Sequence, residues 1–442
     1  MEYEYPVPQS PERGSEPEMP EPESLEQKNR RMVSGILRVF FFVAALYAAY
    51  QFGVERSRMQ EESGASDIFV SLDQAAFSNT DAGNRDIDFS LFWKVWDILR
   101  DRHVDRVDLD AEELFYGAID GMLAASGDPY TTFFDPEEQL AFNEDISGKF
   151  EGIGAEMGMR DGVLTVIAPL EGAPAEKAGL RPNDKVLEID GESSATFSLT
   201  ESVDRIRGPE GTTVALTIYR EGEDESREIV VTRGVITIES VTVSFEDDGA
   251  LGILRISRFG EETEREYRDA AAEMIRRDIR GMIIDLRSNP GGLLDAAITI
   301  GSTMLPRGDV IVIEENAAGI RREEKAFGGD RFSGIPTVIL LDEGSASASE
   351  ILAGALRENR ENVTIVGKKS FGKGSVQELV PSSADTSVKV TIARWLTPDG
   401  HQIHEAGIAP DEEVDLTFDD FENDRDPQLD RALEIIREKI GK

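Results

Sequence analysis

From residue 236 onward, buried strands alternate with helices, and that alternation limits the possible folds more than any other feature. "ALGILRISRF" reads as a strand and "EETEREYRDAAAEMIRRD" as an amphipathic helix. "RGMIIDLRSNPGG" is a buried strand running into a turn, and "LLDAAITIGSTML" is helical. "TVILLDEGSASASEILAGALREN" is strand, loop and helix, and "NVTIVGKKSFGKG" is strand and loop. Such a chain predicts an α/β layered core over residues 236–420. "TSVKVTIARWLTPDGHQIHEAGIAPDEEV" closes the core with hairpin-like strands, and "DPQLDRALEIIREKI" is a terminal helix within 421–442.

The upstream third reads differently, which makes the chain multidomain. Residues 1–31 are rich in Pro, Glu and Ser and are expected to form a disordered acidic tail. "VSGILRVFFFVAALYAAYQFGV" follows, and about 20 such residues span a bilayer. Residues 32–54 are therefore expected to be a transmembrane anchor, with a buried soluble helix as the plainer alternative. Arg38 can snorkel to the headgroups. The long acidic leader and the poor cleavage pattern argue against a removed signal peptide. Lys28, Arg30, Arg31 and Arg38 outweigh Arg56 and Arg58, which places the N-terminus in the cytoplasm and the bulk of the chain outside it. Residues 55–84 are a polar linker. Residues 85–148 repeat apolar residues at helical spacing and form a small helical region closing at Gly127-Asp128-Pro129. Core packing explains its aromatic cluster of Phe89, Phe92, Trp93 and Trp96.

Composition removes whole classes of function. The formal net charge is −40, which repels nucleic acid. There is no cysteine, so thiol nucleophiles, disulfides and cysteine zinc sites are excluded. Only His103, His401 and His404 could serve a serine-histidine enzyme. "HQIHE" lacks the helical order of a zinc protease and follows a turn, so a solvated hairpin is expected rather than a metal site.

Between the two regions, "GVLTVIAPLEGAPAEKAGLRPNDKVLEIDGES" brackets a short helix with two strand-like runs. The pattern resembles a PDZ domain, expected over 149–235. Gly152, Ile153 and Gly154 then look like its carboxylate-binding loop, because glycines expose backbone N–H groups that can hold a terminal carboxylate.

"IVGKKSFGKGSVQ" nearly matches a phosphate-binding loop, but Gly374 stands where the Mg²⁺-binding hydroxyl should follow Lys373. "MIIDL" precedes the glycine loop, the reverse of the usual order. The continuation after the loop is strand-like, whereas a phosphate loop opens a helix. An ATPase is therefore disfavoured.

A second reading pairs Lys373 with Ser347. Ser347 lies between a buried strand and a helix start, where free N–H groups can stabilise an oxyanion. The plain alternative is a capping box of Ser347 with Glu350. "DLRSNPGG" ends a neighbouring strand, so Gly291 or Gly292 could supply a second oxyanion N–H. Lys373 lies 26 positions on (373 − 347), after one helix and one strand. Two successive parallel strands would bring the two residues together. Between Phe371 and Val376, the lysine could be desolvated enough to act as a base. Gln377 could orient its amine.

Taken in order, "FWKVWDIL", "GDPYTTFFDPEE", "GKFEGIGAEM", "IRGPEGTTV", "DLRSNPGG", "EGSASASEILAGAL", "FGKGSVQ" and "LTPDG…GIAPD" resemble the carboxyl-terminal processing peptidases, or tail-specific proteases, over roughly residues 85–415. The resemblance implies a serine endopeptidase with a Ser-Lys dyad that needs no cofactor or metal. Ser347 would be the nucleophile, Lys373 the general base and Gln377 its orienting partner. The Ala348 and Gly292 N–H groups would form the oxyanion hole. Arg207 resembles the arginine that couples the PDZ domain to the core. Expected partners are protein or peptide substrates with free, apolar C-termini, the membrane through the anchor, and a second copy or a regulatory partner, but no nucleic acid. The serine-to-lysine spacing is one longer than in the family, with the extra residue in "RENRENVT", and this blurs any role for Glu358. A non-catalytic PDZ scaffold on the same fold is the alternative.

Overall fold

Successive strand residues point to opposite faces of a sheet, so a strand buried on both sides must be apolar at every position. Gly281–Asp285 and Thr337–Leu341 are buried throughout. In this computed structural model, which describes residues 88–160 and 162–441, they lie at the centre of a six-stranded sheet. Its order is Val241–Glu246, Leu251–Ile256, Gly281–Asp285, Thr337–Leu341, Val363–Gly367 and Glu412–Glu413. The first pair is antiparallel and the others are parallel. Residues 197–202 group apart, and the rest of the described chain belongs to one compact unit.

Each face has its own cover. Met282, Ile284, Ile339, Leu341 and Ile365 pack with Tyr267, Met274, Ile300 and Leu352, which come from helices Thr263–Arg276, Leu294–Met304 and Ala348–Asn359. Ile283, Val338, Leu340 and Val366 pack against Ala432, Ile435 and Ile436 of the terminal helix Pro427–Ile440. A β-carbon on Gly281 would lie 2.3 Å from Ile436 Cγ2, so the missing side chain lets the helix lie flat on the sheet. Arg287 holds the start of that helix. Its guanidinium donates to Asp285 at 2.9 Å, to Asp426 at 2.8 Å and to Gln428 at 3.1 Å. These two carboxylates push the Arg287 pKa up despite its burial.

A second, antiparallel sheet flanks the core, in the order Thr132–Phe134, Ser387–Leu396, Val310–Asn316 and Arg321–Lys325, with Ser375–Pro381 also paired to Ser387–Leu396. One of its strands departs from the sequence expectation, and another carries no signal of its own. Region 85–148 is not wholly helical: besides Ser90–Arg102, Ala111–Ala124 and Pro136–Ser147 it supplies Thr132–Phe134. Backbone pairing with Ser387–Lys389 decides that conformation. Arg321–Lys325 is "RREEK", whose charges carry no apolar alternation, and its partner strand alone makes it a strand.

Residues 155–232 form an antiparallel sheet in the order Ala155–Arg160, Val163–Pro169, Lys185–Ile189, Thr213–Tyr219 and Arg227–Thr232. Leu164, Val166, Val186, Val214, Leu216 and Val231 fill its interior around the helical turn Pro174–Lys177. The chain enters through Lys149–Gly152 and leaves through Gly234–Thr237, which pair with each other.

The expected acidic tail, transmembrane anchor and linker lie outside the described residues. Among the described residues no helix is long and apolar enough to cross a membrane.

Ile436 is fully buried between the terminal helix and the sheet. Ile436→Ala is expected to cost about 2–5 kcal/mol through lost contacts and a residual cavity. The check is a fall in the urea midpoint with the m-value unchanged.

Candidate active site

Strands Thr337–Leu341 and Val363–Gly367 run parallel and adjacent, so their C-terminal ends deliver two loops to one edge of the sheet. The first loop carries Ser347 and the second Lys373. A third, after strand Gly281–Asp285, carries Gly291 and Gly292.

The first and third loops are zipped together by the two outer serines of "SASAS". Ser345 Oγ donates to Leu286 O at 2.9 Å, and Ser349 Oγ donates to Asn289 O at 3.1 Å. The Ala346 N–H donates to Asn289 O at 2.9 Å. Both outer serines of "SASAS" are thus buried and committed, whereas Ser347 stays half-buried. Ser347 has φ 54° and ψ −114° at the N-cap of helix Ala348–Asn359. That left-handed backbone costs a non-glycine residue on the order of 1–3 kcal/mol and marks a held position.

The glycine pair lies against this serine. A β-carbon on Gly291 would lie 2.7 Å from Ser347 Cβ and 3.0 Å from Ala348 N, and one on Gly292 would lie 2.2 Å from Phe259 O. The Gly291 N–H donates to Asn289 Oδ1 at 2.9 Å. Neither the Gly292 nor the Ala348 N–H donates a hydrogen bond among the described residues. Of the two glycines left open by sequence, Gly291 lies against Ser347 with its N–H already committed, and the next residue, Gly292, has the unused N–H.

Glu350 joins the two catalytic-candidate loops. Its carboxylate is fully buried and accepts four hydrogen bonds. The donors are Ser347 N–H at 2.8 Å, Ser370 Oγ at 2.6 Å, Gly372 N–H at 2.7 Å and Lys373 N–H at 2.9 Å. The capping box expected as the plain alternative does exist, and the same carboxylate also holds the lysine loop. Sequence reasoning stopped at the cap. The missed signal was an acid in an otherwise apolar helix turn, "SASEILAGAL".

Close approach of other backbone explains the glycines of "VGKKSFGKGS". A β-carbon on Gly367 would lie 2.1 Å from Leu341 O, and one on Gly374 would lie 2.1 Å from His404 N. After Lys373 comes strand Ser375–Pro381, not a helix.

Burial pushes the Lys373 ammonium below its ordinary pKa. Lys389 adds repulsion, and Glu350 opposes both. The walls differ from the expectation, because Phe371 is 57% exposed. The ring over Lys373 Nζ belongs to Tyr130, 5.4 Å to its centroid. Among the described residues Gln377 forms no hydrogen bond with that amine. Its Nε2 donates to Ser375 Oγ at 2.8 Å and Thr391 Oγ1 at 3.2 Å. A register shift between Val376 and Gln377 accompanies this side-chain direction.

The remaining candidates lie elsewhere. Ile153 is buried, and among the described residues neither its N–H nor that of Gly154 donates a hydrogen bond. Arg207 reaches from beside Gly152 to Glu144 Oε2 at 3.2 Å, with its guanidinium 4.9 Å from the centre of the Phe150 ring. A groove of about 520 Å³ lined by Leu140, Phe142, Phe150 and Val235 opens there. His401 Nδ1 lies 3.1 Å from Glu358 Oε1, and Asp399 N–H donates to the same carboxylate at 2.8 Å. These hydrogen bonds account for the grouping of Glu358, Asp399 and His401.

Known proteins identify the family. Residues 250–414 match the model of peptidase family S41, residues 165–220 match a PDZ domain, and residues 43–138 match the N-terminal domain of the activating protease CtpB. The carboxy-terminal processing protease CtpA of Bacillus subtilis is 36% identical over 354 residues, covering 80% of this chain and 75% of that protein. The carboxyl-terminal-processing protease of Synechocystis is 37% identical over 349 residues, covering 77% of this chain and 81% of that one. This chain belongs to the carboxy-terminal processing proteases of peptidase family S41. As a member it is a serine-type protease with a PDZ domain, acting on protein substrates. Among solved structures, a photosystem II D1 C-terminal processing protease matches 74% of this chain and 89% of its own, at 32% identity and a TM-score of 0.44.

Glu350→Gln would set an amide NH₂ against backbone donors and remove the charge they share. It is expected to lower protease activity at least about a hundredfold, because a misplacement near 1 Å costs that much. Steady-state cleavage rates, compared at matched folded fraction, check it.

Proposed function

We propose that the chain is a membrane-tethered endopeptidase that recognises free, apolar C-termini through its PDZ domain and cleaves near them with a Ser347–Lys373 dyad. The observation that carries this reading is the Glu350 clamp, which holds both loops beside two unused N–H donors. Val33–Val54 supplies the tether, on its sequence alone, and places the protease domain outside the cytoplasm.

The chemistry follows from these groups. Neutral Lys373 Nζ takes the Ser347 hydroxyl proton as Oγ attacks the scissile carbonyl carbon. The new oxyanion accepts hydrogen bonds from the Ala348 and Gly292 N–H groups, reinforced by the start of helix Ala348–Asn359. The C–N bond breaks, and the leaving amine takes the proton back from Lys373. Water then gives a proton to Lys373 as it attacks the acyl carbon, and Lys373 returns that proton to Ser347 Oγ as the ester C–O bond breaks. No cofactor enters any step. The substrate's terminal carboxylate would take the Ile153 and Gly154 N–H groups. Its backbone would extend the sheet at Ala155–Arg160, an edge strand. Arg207, at that loop and at Glu144, would report occupancy to the core.

One observation favours the non-catalytic scaffold instead. Among the described residues Lys373 Nζ forms no hydrogen bond with Ser347 or Gln377. The dyad reading takes this as a resting arrangement in which Gln377 has yet to turn from Ser375 and Thr391.

The test uses the full chain and unfolded substrates with apolar tails. Wild type is expected to cut a free-tailed substrate and to spare its C-terminally amidated form. Ser347→Ala and Lys373→Ala are each expected to abolish cleavage while still binding the tail. Wild type that binds and never cuts would establish the scaffold.

Lys389 disfavours a charged Lys373, so its removal raises the pKa of the base. In Lys389→Met the acid limb of the kcat/KM profile is expected to move to higher pH.

A further inference from the structure

The segment just upstream of the PDZ domain reaches the proposed base. Tyr130 lies over Lys373 Nζ at 5.4 Å, and Phe134, one helical-turn spacing on in sequence, lies under Lys389 Nζ at 4.8 Å. Both lysines at the site thus face aromatic rings of one short stretch. Its placement is fixed by polar contacts. Asp128 Oδ1 accepts from Tyr130 N–H at 3.1 Å and Oδ2 accepts from Thr131 Oγ1 at 2.6 Å. Thr131 Oγ1 accepts in turn from Thr391 N–H at 3.1 Å. Thr132–Phe134 then pairs with Ser387–Lys389. The Tyr130 ring also meets His404 edge-on, with centroids 6.5 Å apart. His404 Nδ1 is buried there with no hydrogen-bond partner among the described residues.

We propose that Tyr130 is a positioning residue for the base: its ring face holds Lys373 Nζ and weights the balance between its charged and neutral forms. The inference rests on the dyad reading and deepens it. An aromatic face attracts an ammonium and not a neutral amine. Tyr130 therefore opposes the burial and the Lys389 repulsion that favour the neutral lysine, and it acts on the same side as Glu350. The other charged or titratable groups around the ring are Asp128, Glu405 and His404. Burial, and after it Glu350, Asp128 and Glu405, push the Tyr130 hydroxyl pKa up, so the ring stays neutral and keeps its attractive face.

The test compares kcat/KM profiles of the full-length wild type, Tyr130→Phe, Tyr130→Leu and Tyr130→Trp across the acid limb, where the rate follows the fraction of neutral lysine. Tyr130→Leu removes the attraction, so the rate on that limb is expected to rise about two- to fivefold, the equivalent of roughly 0.5–1 kcal/mol. Tyr130→Phe keeps the face and is expected to retain the wild-type limb, whereas Tyr130→Trp strengthens it and shifts the limb the other way. An unmoved limb in Tyr130→Leu overturns the proposal. So does an equal shift in Tyr130→Phe, or a shift of the same sign in the leucine and tryptophan variants. Lys373→Ala separates the two readings. If that variant still cleaves, the dyad fails; if it is inactive and the leucine limb is unmoved, only the role of Tyr130 fails.

Discussion

One carboxylate without solvent exposure sets the geometry of the site. Glu350 could not sit in the helix start as a buried charge unless its oxygens were saturated, because an unpaired buried ion costs several kcal/mol. The four donors that saturate it come from the serine's backbone and from the lysine loop. The requirement to satisfy one charge thus becomes a fixed distance between two loops that are otherwise separated by a helix and a strand. Three of those donors lie within four residues of one another (Ser370, Gly372 and Lys373). A loop collapsed around an oxygen pair in this way needs glycine where its backbone meets the neighbouring chain, as Gly374 does at His404.

The sheet was legible because burial on both faces writes itself into "MIIDL" and "TVILL", and parallel order follows from strand and helix alternating. That the loops carrying Ser347, Lys373 and the glycine pair leave one edge of the sheet was legible for the same reason, since strand ends of one sheet converge. Three things were not. Arg321–Lys325 is a strand only because a partner pairs with it, and local composition cannot report a partner. Tyr130 lies 243 positions before Lys373 (373 − 130), and no periodicity links a turn in a helical region to a loop so distant. The direction of Gln377 depends on a register shift in its strand pair. A residue four places beyond the lysine can be counted in sequence, but the face it points to cannot. The acidic tail, anchor and linker remain sequence readings.

The segment 128–147 joins features that the domain division keeps apart. Its first residues place Tyr130 over the proposed base, its strand lines the second sheet, and its helix Pro136–Ser147 carries Glu144 to Arg207. That helix is rigidly started by a capping box of Asp135 and Glu138 with proline at its first turn. Arg207 therefore touches a segment whose other end lies over Lys373. The contacts form a continuous physical path, and coupling along it is a matter for double-mutant cycles between Arg207 and Tyr130.

A lysine base in a chain of net charge −40 raises an electrostatic difficulty, because negative surroundings hold an ammonium charged. Screening removes most of it. At physiological salt, exposed charges beyond about 8 Å contribute little, so the groups at the site decide. Glu350 is the nearest acid acting on Lys373, and its influence is blunted because its oxygens already face four donors. Burial and Lys389 act against the ammonium, and the Tyr130 face acts for it. The site thus balances local terms of opposite sign around one amine. Such a balance is shifted by moving a single neighbour, which a base held deep in one protonation state would not allow. The neighbours that tune it are Lys389, Glu350 and Tyr130.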